Sequence, residues 1–368
     1  MRFLFIAPRF HTNQVSWIES LIKNNHIVDF HSQFRGEIEN YEHIEPLIFE
    51  PCGFSKLIVR LFGNGGVNNP RGFPNPISYY KELRKLQPDV IIVRDVSRWF
   101  SLLGALLGRC LQKKIIIYSQ TELYKKYTPV RTIQTKIILF ILKAIWITPI
   151  KGNTSIYNSH PDKLNFVPFS VDIQKKQISE IKNPFKLLSV GKFEDRKNQL
   201  MLLKVFKKLL NQGFKVKLSL IGEVSKDVHK ENFNKCNQYI IDNGLQDSVE
   251  ILVNLSHDNM ASYYQNSDLF ILPATEEPAS ISVLESIGMG TPAICSDTNG
   301  TRFYLTENKF GLTFVDNDIE SLYSTIKLVL NPIKLKFYNE NISTRVDNVL
   351  SQSVFYDTFI GLVGNGRS

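Results

Sequence analysis

"DLFILPATEEPASISVLESIGMGTPAICSD", residues 268–297, decides the fold. The apolar run Leu269–Leu272 stops at Pro273, as a strand buried on both faces does. A helical segment carrying Glu285 follows, then a Gly-Thr-Pro turn at 290–292 and a second apolar strand. Strand, helix and strand in that order make a parallel βαβ unit. Two carboxylates, Glu277 in the loop and Glu285 in the helix, stand eight positions apart around small residues. A helix that only covers a core has no need of that arrangement. A ligand held at a strand end does.

Working outward, the same alternation runs from end to end. In the first half, "FLFIAP", "HIVDF", "PDVIIV" and "KKIIIYS" read as strands, and Val15, Ile18, Leu21 and Ile22 share one face of a helix. The second half opens on "FKLLSVG" and the helix "NQLMLLKVFKKLLNQG", which Gly213 terminates. "KVKLSLIGE", "SVEILV" and "GLTFV" supply further strands. The expected fold class is α/β, with two Rossmann-like doubly wound domains facing across a cleft. The boundaries expected are 1–173 for the first domain, 174–184 for a polar linker and 185–350 for the second. A C-terminal helix at about 351–368 is expected to pack back on the first domain.

A chain of 368 residues exceeds what one core usually serves. Its apolar fraction of 43% is that of a globular protein and excludes disorder. A net charge of +9 and a pI near 9.2 favour an anionic partner, whether phosphate or a membrane surface. Nucleic acid is not expected, because the basic residues are spread and no aromatic-basic stripe accompanies them. Cys52, Cys110, Cys236 and Cys295 are scattered and read as reduced thiols of a cytoplasmic protein. The opening "MRFLFIAPRF" is too short for a signal peptide and reads as a strand. "RTIQTKIILFILKAIWITPI" is the most membrane-like stretch, but Lys136 and Lys143 interrupt it, and no spanning helix is expected.

Chemistry concentrates in two segments. In "SVGKFEDRKNQ" a strand ends at Gly191, and Lys192, Arg196 and Lys197 follow before a helix. Cations at a strand end beside a helix N-terminus suit a diphosphate, although a solvated basic loop would read the same way. In the second segment Ala279 and Ser280 stand at a helix start, where small side chains leave the free N–H groups open to a phosphate. Taken alone, that segment reads better as a capped helix with an exposed Glu at its start.

Together, Gly-Lys-x-x-x-x-Lys after a strand and the later Glu-x7-Glu resemble the retaining GT-B nucleotide-sugar glycosyltransferases of glycosyltransferase family 4. "LIGE", "YYQNSDLFILPA", "GTPAICSD" and "VPFSVD" extend the resemblance over the second half. It implies that Lys192 and Lys197 neutralise the donor diphosphate, with Arg196 and Gly191 beside them. Glu285 would bind the ribose and Glu277 the transferred sugar. The backbone at Ala279, Ser280 and Ile281 would face phosphate or sugar, and the nucleoside would lie near Gly222 and Asn254. No cofactor and no metal is implied. The partners are a nucleotide-sugar donor and a glycan or lipid-linked acceptor of surface-polysaccharide synthesis. Three departures stand out. Lys192 replaces the family's Arg and loses its bidentate fork. Ala-Ser replaces Phe-Gly, and the first loop, "APRFHTNQ", lacks a glycine pair. A nucleotide-sugar epimerase of the same fold and a non-catalytic donor-binding subunit are the rivals.

Weaker signals remain. His11 and Asn13 in the first loop, with Arg94 and Gln120 at later strand ends, are acceptor or cleft candidates. Asp316-Asn317-Asp318 imitates a D-x-D metal motif, but Asn317 and Glu320 have capping-box spacing and read as a helix cap. Phe54, Leu57, Ile58, Leu61 and Phe62 form one face of a short helix that also carries Lys56 and Arg60. Packing on the N-terminal sheet is the simpler reading of that face. Contact with an anionic membrane at the cytoplasmic leaflet is the other.

Overall fold

The computed structural model describes residues 1–10, 12–35, 41–62, 70–124, 128–152, 164–176 and 183–364. The chain divides into two compact units, Met1–Ser170 with Phe355–Ser368, and Val171–Val354. The described part of the segment expected as a linker is bonded into the second unit, through Gln174 N–H to Gly288 O (2.9 Å) and Lys176 Nζ to Ser267 O (2.6 Å).

In chain order the first unit contains β1 (Arg2–Ile6), α1 (Val15–Lys23), β2 (Ile27–Ser32), β3 (Leu47–Ile48), α2 (Gly53–Phe62) and α3 (Pro76–Leu86). It continues with β4 (Val90–Arg94), α4 (Trp99–Cys110), β5 (Lys114–Tyr118), α5 (Pro129–Leu142), β6 (Ile145–Thr148) and β7 (Leu164–Phe166). Among the described residues these strands form one parallel sheet in the order β3-β2-β1-β4-β5-β6-β7. β1, β4 and β5 are nearly continuous apolar runs because helices cover both faces. The stretch that looked membrane-like is instead a helix and a strand. Lys143, left-handed at φ 45°, ends α5 and turns the chain into β6.

The second unit contains β8 (Phe185–Val190), α6 (Gln199–Asn211), β9 (Val216–Gly222), α7 (Asp227–Asp242), β10 (Val249–Val253), α8 (His257–Asn266) and β11 (Leu269–Leu272). Then come α9 (Ile281–Gly288), β12 (Ala293–Ser296), α10 (Arg302–Asn308), β13 (Gly311–Phe314), α11 (Ile319–Val329), α12 (Pro332–Arg345) and α13 (Asp347–Leu350). Its parallel sheet runs β10-β9-β8-β11-β12-β13 among the described residues. α6 shows why the element forms: Leu202, Leu203, Phe206 and Leu209 fall on its sheet side and are fully buried. Each such side chain contributes about 1.5–3 kcal/mol. Gly213, at φ +82°, ends it in a conformation that a side chain resists.

α14 (Gln352–Gly364) returns to the first unit, where Phe355 stacks on Trp17 of α1 with ring centroids 4.8 Å apart. That contact corrects the helix face expected from sequence. Trp17, Ile18 and Leu21 are buried, and Ile22 is exposed. A second correction concerns α2, whose Phe54, Leu57 and Leu61 face solvent. Its inward anchor is polar: the Ser55 hydroxyl accepts from Phe73 N–H at 2.9 Å and is buried. The third concerns the helix after β13. Asp318, not Asn317, caps α11 by accepting from Ser321 N–H at 2.9 Å.

Candidate functional site

In the second unit the chain winds from β8 outward to β10, then crosses back to place β11 on the other side of β8. The carboxyl ends of β8 and β11 therefore diverge, and their loops enclose the crevice where open α/β sheets bind ligands. Gly191–Asn198 leaves β8 there, and Pro273–Ser280 leaves β11. This reversal brings together groups eighty residues apart in sequence.

Glu277 is buried between them. Its Oε2 accepts from Lys197 Nζ at 2.5 Å and from the Arg196 guanidinium. Backbone bonds hold the loops in register: Thr275 N–H reaches Arg196 O, and Gly300 N–H reaches Glu277 O. Lys192 lies farther out and is paired with Glu223 at 2.6 Å. Burial pushes the Glu223 carboxyl up. Hydrogen bonds from Lys192 and Ser225, with the Lys192 and His229 charges, outweigh burial and hold its pKa below the ordinary value.

The network continues through His229, which is fully buried at the start of α7. Ser225 N–H lies 3.3 Å from Nδ1, and Nε2 faces Glu194 Oε1 at 3.3 Å. Glu194 in turn lies 3.8 Å from Arg196. A polar network thus runs from Lys192 through Glu223, Ser225, His229, Glu194 and Arg196 to Glu277 and Lys197. The sequence reading missed Glu194, Glu223 and His229. His229 sits in a helix whose polar surface hides one inward-facing imidazole.

Glu285 stands in α9, where Tyr264 Oη donates to its Oε2 at 3.0 Å and fixes the side chain. Burial, then the Glu285 charge, raises the Tyr264 pKa well above the usual range, so the phenol keeps its proton. Ser280 occupies the N-cap of α9 without accepting from a backbone N–H of that helix, its hydroxyl meeting Ser282 Oγ in the first turn instead. The first N–H groups of α9, from Ile281 on, follow Ala279 and Ser280 directly.

Gly222 and Asn254 end β9 and β10 side by side, with Asn254 N–H on Gly222 O at 2.9 Å. The Asn254 amide is spent on the adjacent turn, accepting from Val224 N–H at 2.8 Å, which makes it a brace for that turn. Gly222 has a steric reason to be glycine. A Cβ there would stand 2.5 Å from both Gly191 O and the Phe193 ring.

The first unit repeats the topology. Its winding reverses between β1 and β4, and Asn13, Arg94 and Gln120 gather at the corresponding strand ends. Their hub is Tyr118. Its oxygen accepts from Asn13 Nδ2 at 3.2 Å and Gln120 Nε2 at 3.3 Å, while Arg94 Nη1 donates to Asn13 Oδ1 at 3.2 Å. Burial, opposed by Arg94 and Gln120, raises the Tyr118 pKa, and burial lowers that of Arg94. His11 lies outside the described residues.

Comparison with known proteins bears on the second unit most directly. Residues 170–341 match the family model of glycosyl transferases group 1. A mouse GDP-Man:Man(3)GlcNAc(2)-PP-Dol alpha-1,2-mannosyltransferase is 28% identical over 121 residues, covering 32% of this chain and 25% of that protein. The chain spans between 25% and 49% of the first curated relatives. Similarity to the Escherichia coli UDP-Gal:alpha-D-GlcNAc-diphosphoundecaprenol alpha-1,3-galactosyltransferase is longer, 24% over 303 residues and 74% of each chain. Anabaena Alr3699/HepE, solved in complex with UDP and glucose, superposes with a TM-score of 0.72 at 12% identity over 99% of both chains. That likeness shows the fold, two Rossmann-like units of GT-B type, which is the class expected from the sequence.

Proposed function

We propose that the chain is a retaining, metal-independent glycosyltransferase of family 4. It moves a hexose-type unit from a nucleoside diphosphate sugar to a hydroxyl of a glycan or lipid-linked oligosaccharide. The observation that carries this reading is the convergence of Lys197 and Arg196 on Glu277 at the β8/β11 reversal. Lys192 and Lys197 neutralise the diphosphate and the charge that develops on it as the glycosidic bond breaks. Glu277 keeps Lys197 and Arg196 aimed at that position and accepts from hydroxyls of the transferred sugar. Glu285, held by Tyr264, accepts from the ribose. The α9 N-terminus at Ala279, Ser280 and Ile281 meets a phosphate oxygen or a sugar hydroxyl. The leaving diphosphate takes the acceptor proton. Asn13, Arg94 and Gln120 bind acceptor hydroxyls in the first unit, where an amide-and-phenol cluster suits neutral groups.

The group 1 domain match and the donors named for the two curated relatives support the donor class. A panel of nucleotide sugars tests it by thermal shift, since a donor that binds the native state raises Tm. The stabilising donor is then used in a transfer assay with excess EDTA, where activity is expected to persist. Losing a charge-assisted contact costs about 1.5–3 kcal/mol, so Lys197→Ala slows transfer at least roughly tenfold. Unchanged turnover in folded Lys197→Ala would remove the β8 loop from the site. Metal-reversible inhibition by EDTA would overturn the metal-independent mechanism.

A further inference from the structure

Two helices of the first unit turn apolar stripes to solvent. On α5, Val130, Ile133, Ile137, Phe140 and Ile141 recur at i, i+3, i+7, i+10 and i+11, one face of a helix. All are exposed, Ile133 by 59% and Phe140 by 78%, while Leu139 and Leu142 on the opposite side are buried. On α2, Phe54, Leu57 and Leu61 form the exposed face, with Phe54 67% exposed. The two helices connect through aromatic contacts: Phe54 meets Phe73, Phe73 meets Trp99 at the start of α4, and α4 packs on α5. Trp99 is itself partly exposed. Grouped apolar surface of this kind marks a docking face, because isolated exposed residues do not align.

Charge decides what docks. Residues 53–62 and 129–143 contain Lys56, Arg60, Arg131, Lys136 and Lys143 and no acidic residue. At 100° per residue, Lys136 and Lys143 run along one edge of the α5 stripe. A second copy meeting this face about a two-fold axis would bring the same cations together. Protein interface cores are, moreover, depleted of Lys. An apolar face rimmed by Lys and Arg, on a helix too short to span, is what lies in the interface of an anionic bilayer. No helix among the described residues is long and apolar enough to cross a membrane.

We propose that α5, extended by α2, seats the first unit on an anionic lipid surface, with the apolar stripe at the acyl boundary and the cations among the headgroups. This goes beyond the glycosyl-transfer reading and is read out without any substrate. Failure of one therefore leaves the other standing.

The test is sedimentation of the full chain with vesicles of equal parts phosphatidylglycerol and phosphatidylcholine, against phosphatidylcholine alone. The wild type is expected to sediment with the anionic vesicles. Ile133→Glu with Ile137→Glu and Phe140→Glu, all at exposed positions, should keep the wild-type Tm and stay in the supernatant. Lys136→Gln with Lys143→Gln should weaken partition roughly 25-fold, about fivefold per cation, and leave the stripe intact. A wild type that ignores anionic vesicles would overturn the proposal, as would a folded triple variant that sediments like wild type. So would a wild-type dimer in light scattering that the triple variant splits, which assigns the stripe to a second copy.

Discussion

The two units place polar groups at the same topological point and handle them in opposite ways. At the β8/β11 reversal Lys192, Arg196 and Lys197 are each paired with a carboxylate, so each cation has a counter-ion. At the β1/β4 reversal a phenol and two amides bond around the Arg94 guanidinium, on which the charges of Asp95, Arg9 and Arg98 also act. Buried ions are tolerated only when paired, whereas neutral donors and acceptors need only hydrogen bonds. The buried histidines follow the same division. His229 faces the carboxylate of Glu194, while His31 bonds the Tyr79 phenol at 3.2 Å. A mesh of cations and carboxylates suits a polyanion that must be bound and then released with extra charge. The neutral cluster suits hydroxyls.

Removing Glu277 is the strongest way to test the charged half of this comparison. Glu277→Ala leaves Lys197, only 13% exposed, facing Arg196 without the carboxylate between them. Breaking a buried pair costs about 3 kcal/mol or more, so transfer is expected to fall by roughly two orders of magnitude. Single-turnover kinetics with a saturating donor measures the loss. A change confined to Tm, with turnover per folded molecule preserved, would make the mesh a scaffold and nothing else.

The neutral half is tested by acid. Burial lowers the His31 pKa from 6.5 to about 4, against a smaller upward pull from Asp29. The unfolded chain therefore takes up this proton first. The contribution is complete above pH 6.5 and is lost as pH falls toward 4, amounting to about 3 kcal/mol. All three tryptophans, Trp17, Trp99 and Trp146, belong to the first unit, so their fluorescence during urea unfolding reports that unit. His31→Gln should flatten the decline between pH 6.5 and 4. An unchanged slope would show that other groups in the unit titrate.

How far the sequence carried differs between the units for a physical reason. The βαβ alternation and the strand ends at Gly191 and Pro273 are local, periodic signals, and the folded chain keeps them. Glu277 and Lys197 were legible as chemistry because both sit in short loops after apolar strands. Their bond was not, since it depends on β11 returning beside β8. Tyr118 was hidden for another reason: as the last residue of an apolar strand it reads as core, and only the reversal makes it a hub. The α2 stripe stays open between core and membrane in the sequence, because amphipathic spacing gives a face and not its direction. Ser55 sets that direction by bonding Phe73, a contact between positions far apart in the sequence reading.

Within the charged unit, Glu285 separates ribose binding from transfer. Glu285→Ala should weaken binding of the bare nucleoside diphosphate about tenfold or more, because it removes charge-assisted bonds worth about 1.5–3 kcal/mol. Tyr264→Phe removes only the bond that orients Glu285, and a smaller loss, about fivefold, is expected. Calorimetric titration measures both. Equal losses from Glu285→Ala and Glu277→Ala toward the bare nucleotide would mean that the two carboxylates do not divide ribose from sugar.

An effect as small as that of Tyr264→Phe is expected at Tyr118, and it reaches the comparison most directly. Tyr118→Phe keeps the buried ring, which packs edge-on against Trp17 at 4.9 Å, and removes only the oxygen that accepts from Asn13 and Gln120. Both amides lose a partner at a half-buried site, and Arg94 loses its indirect tie to the ring through Asn13. A neutral hydrogen bond contributes about 1 kcal/mol net, so acceptor KM should rise about fivefold. Nucleotide affinity and donor hydrolysis should not change, since the charged mesh lies in the other unit. Arg94→Lys adds a control, because an ammonium keeps the charge and loses the planar fork that reaches Asn13. If the first unit recognises neutral hydroxyls, both variants move acceptor KM together and leave kcat nearly unaltered. If nucleotide affinity falls in Tyr118→Phe, the neutral cluster serves the donor, and the division of labour between the two reversals is wrong.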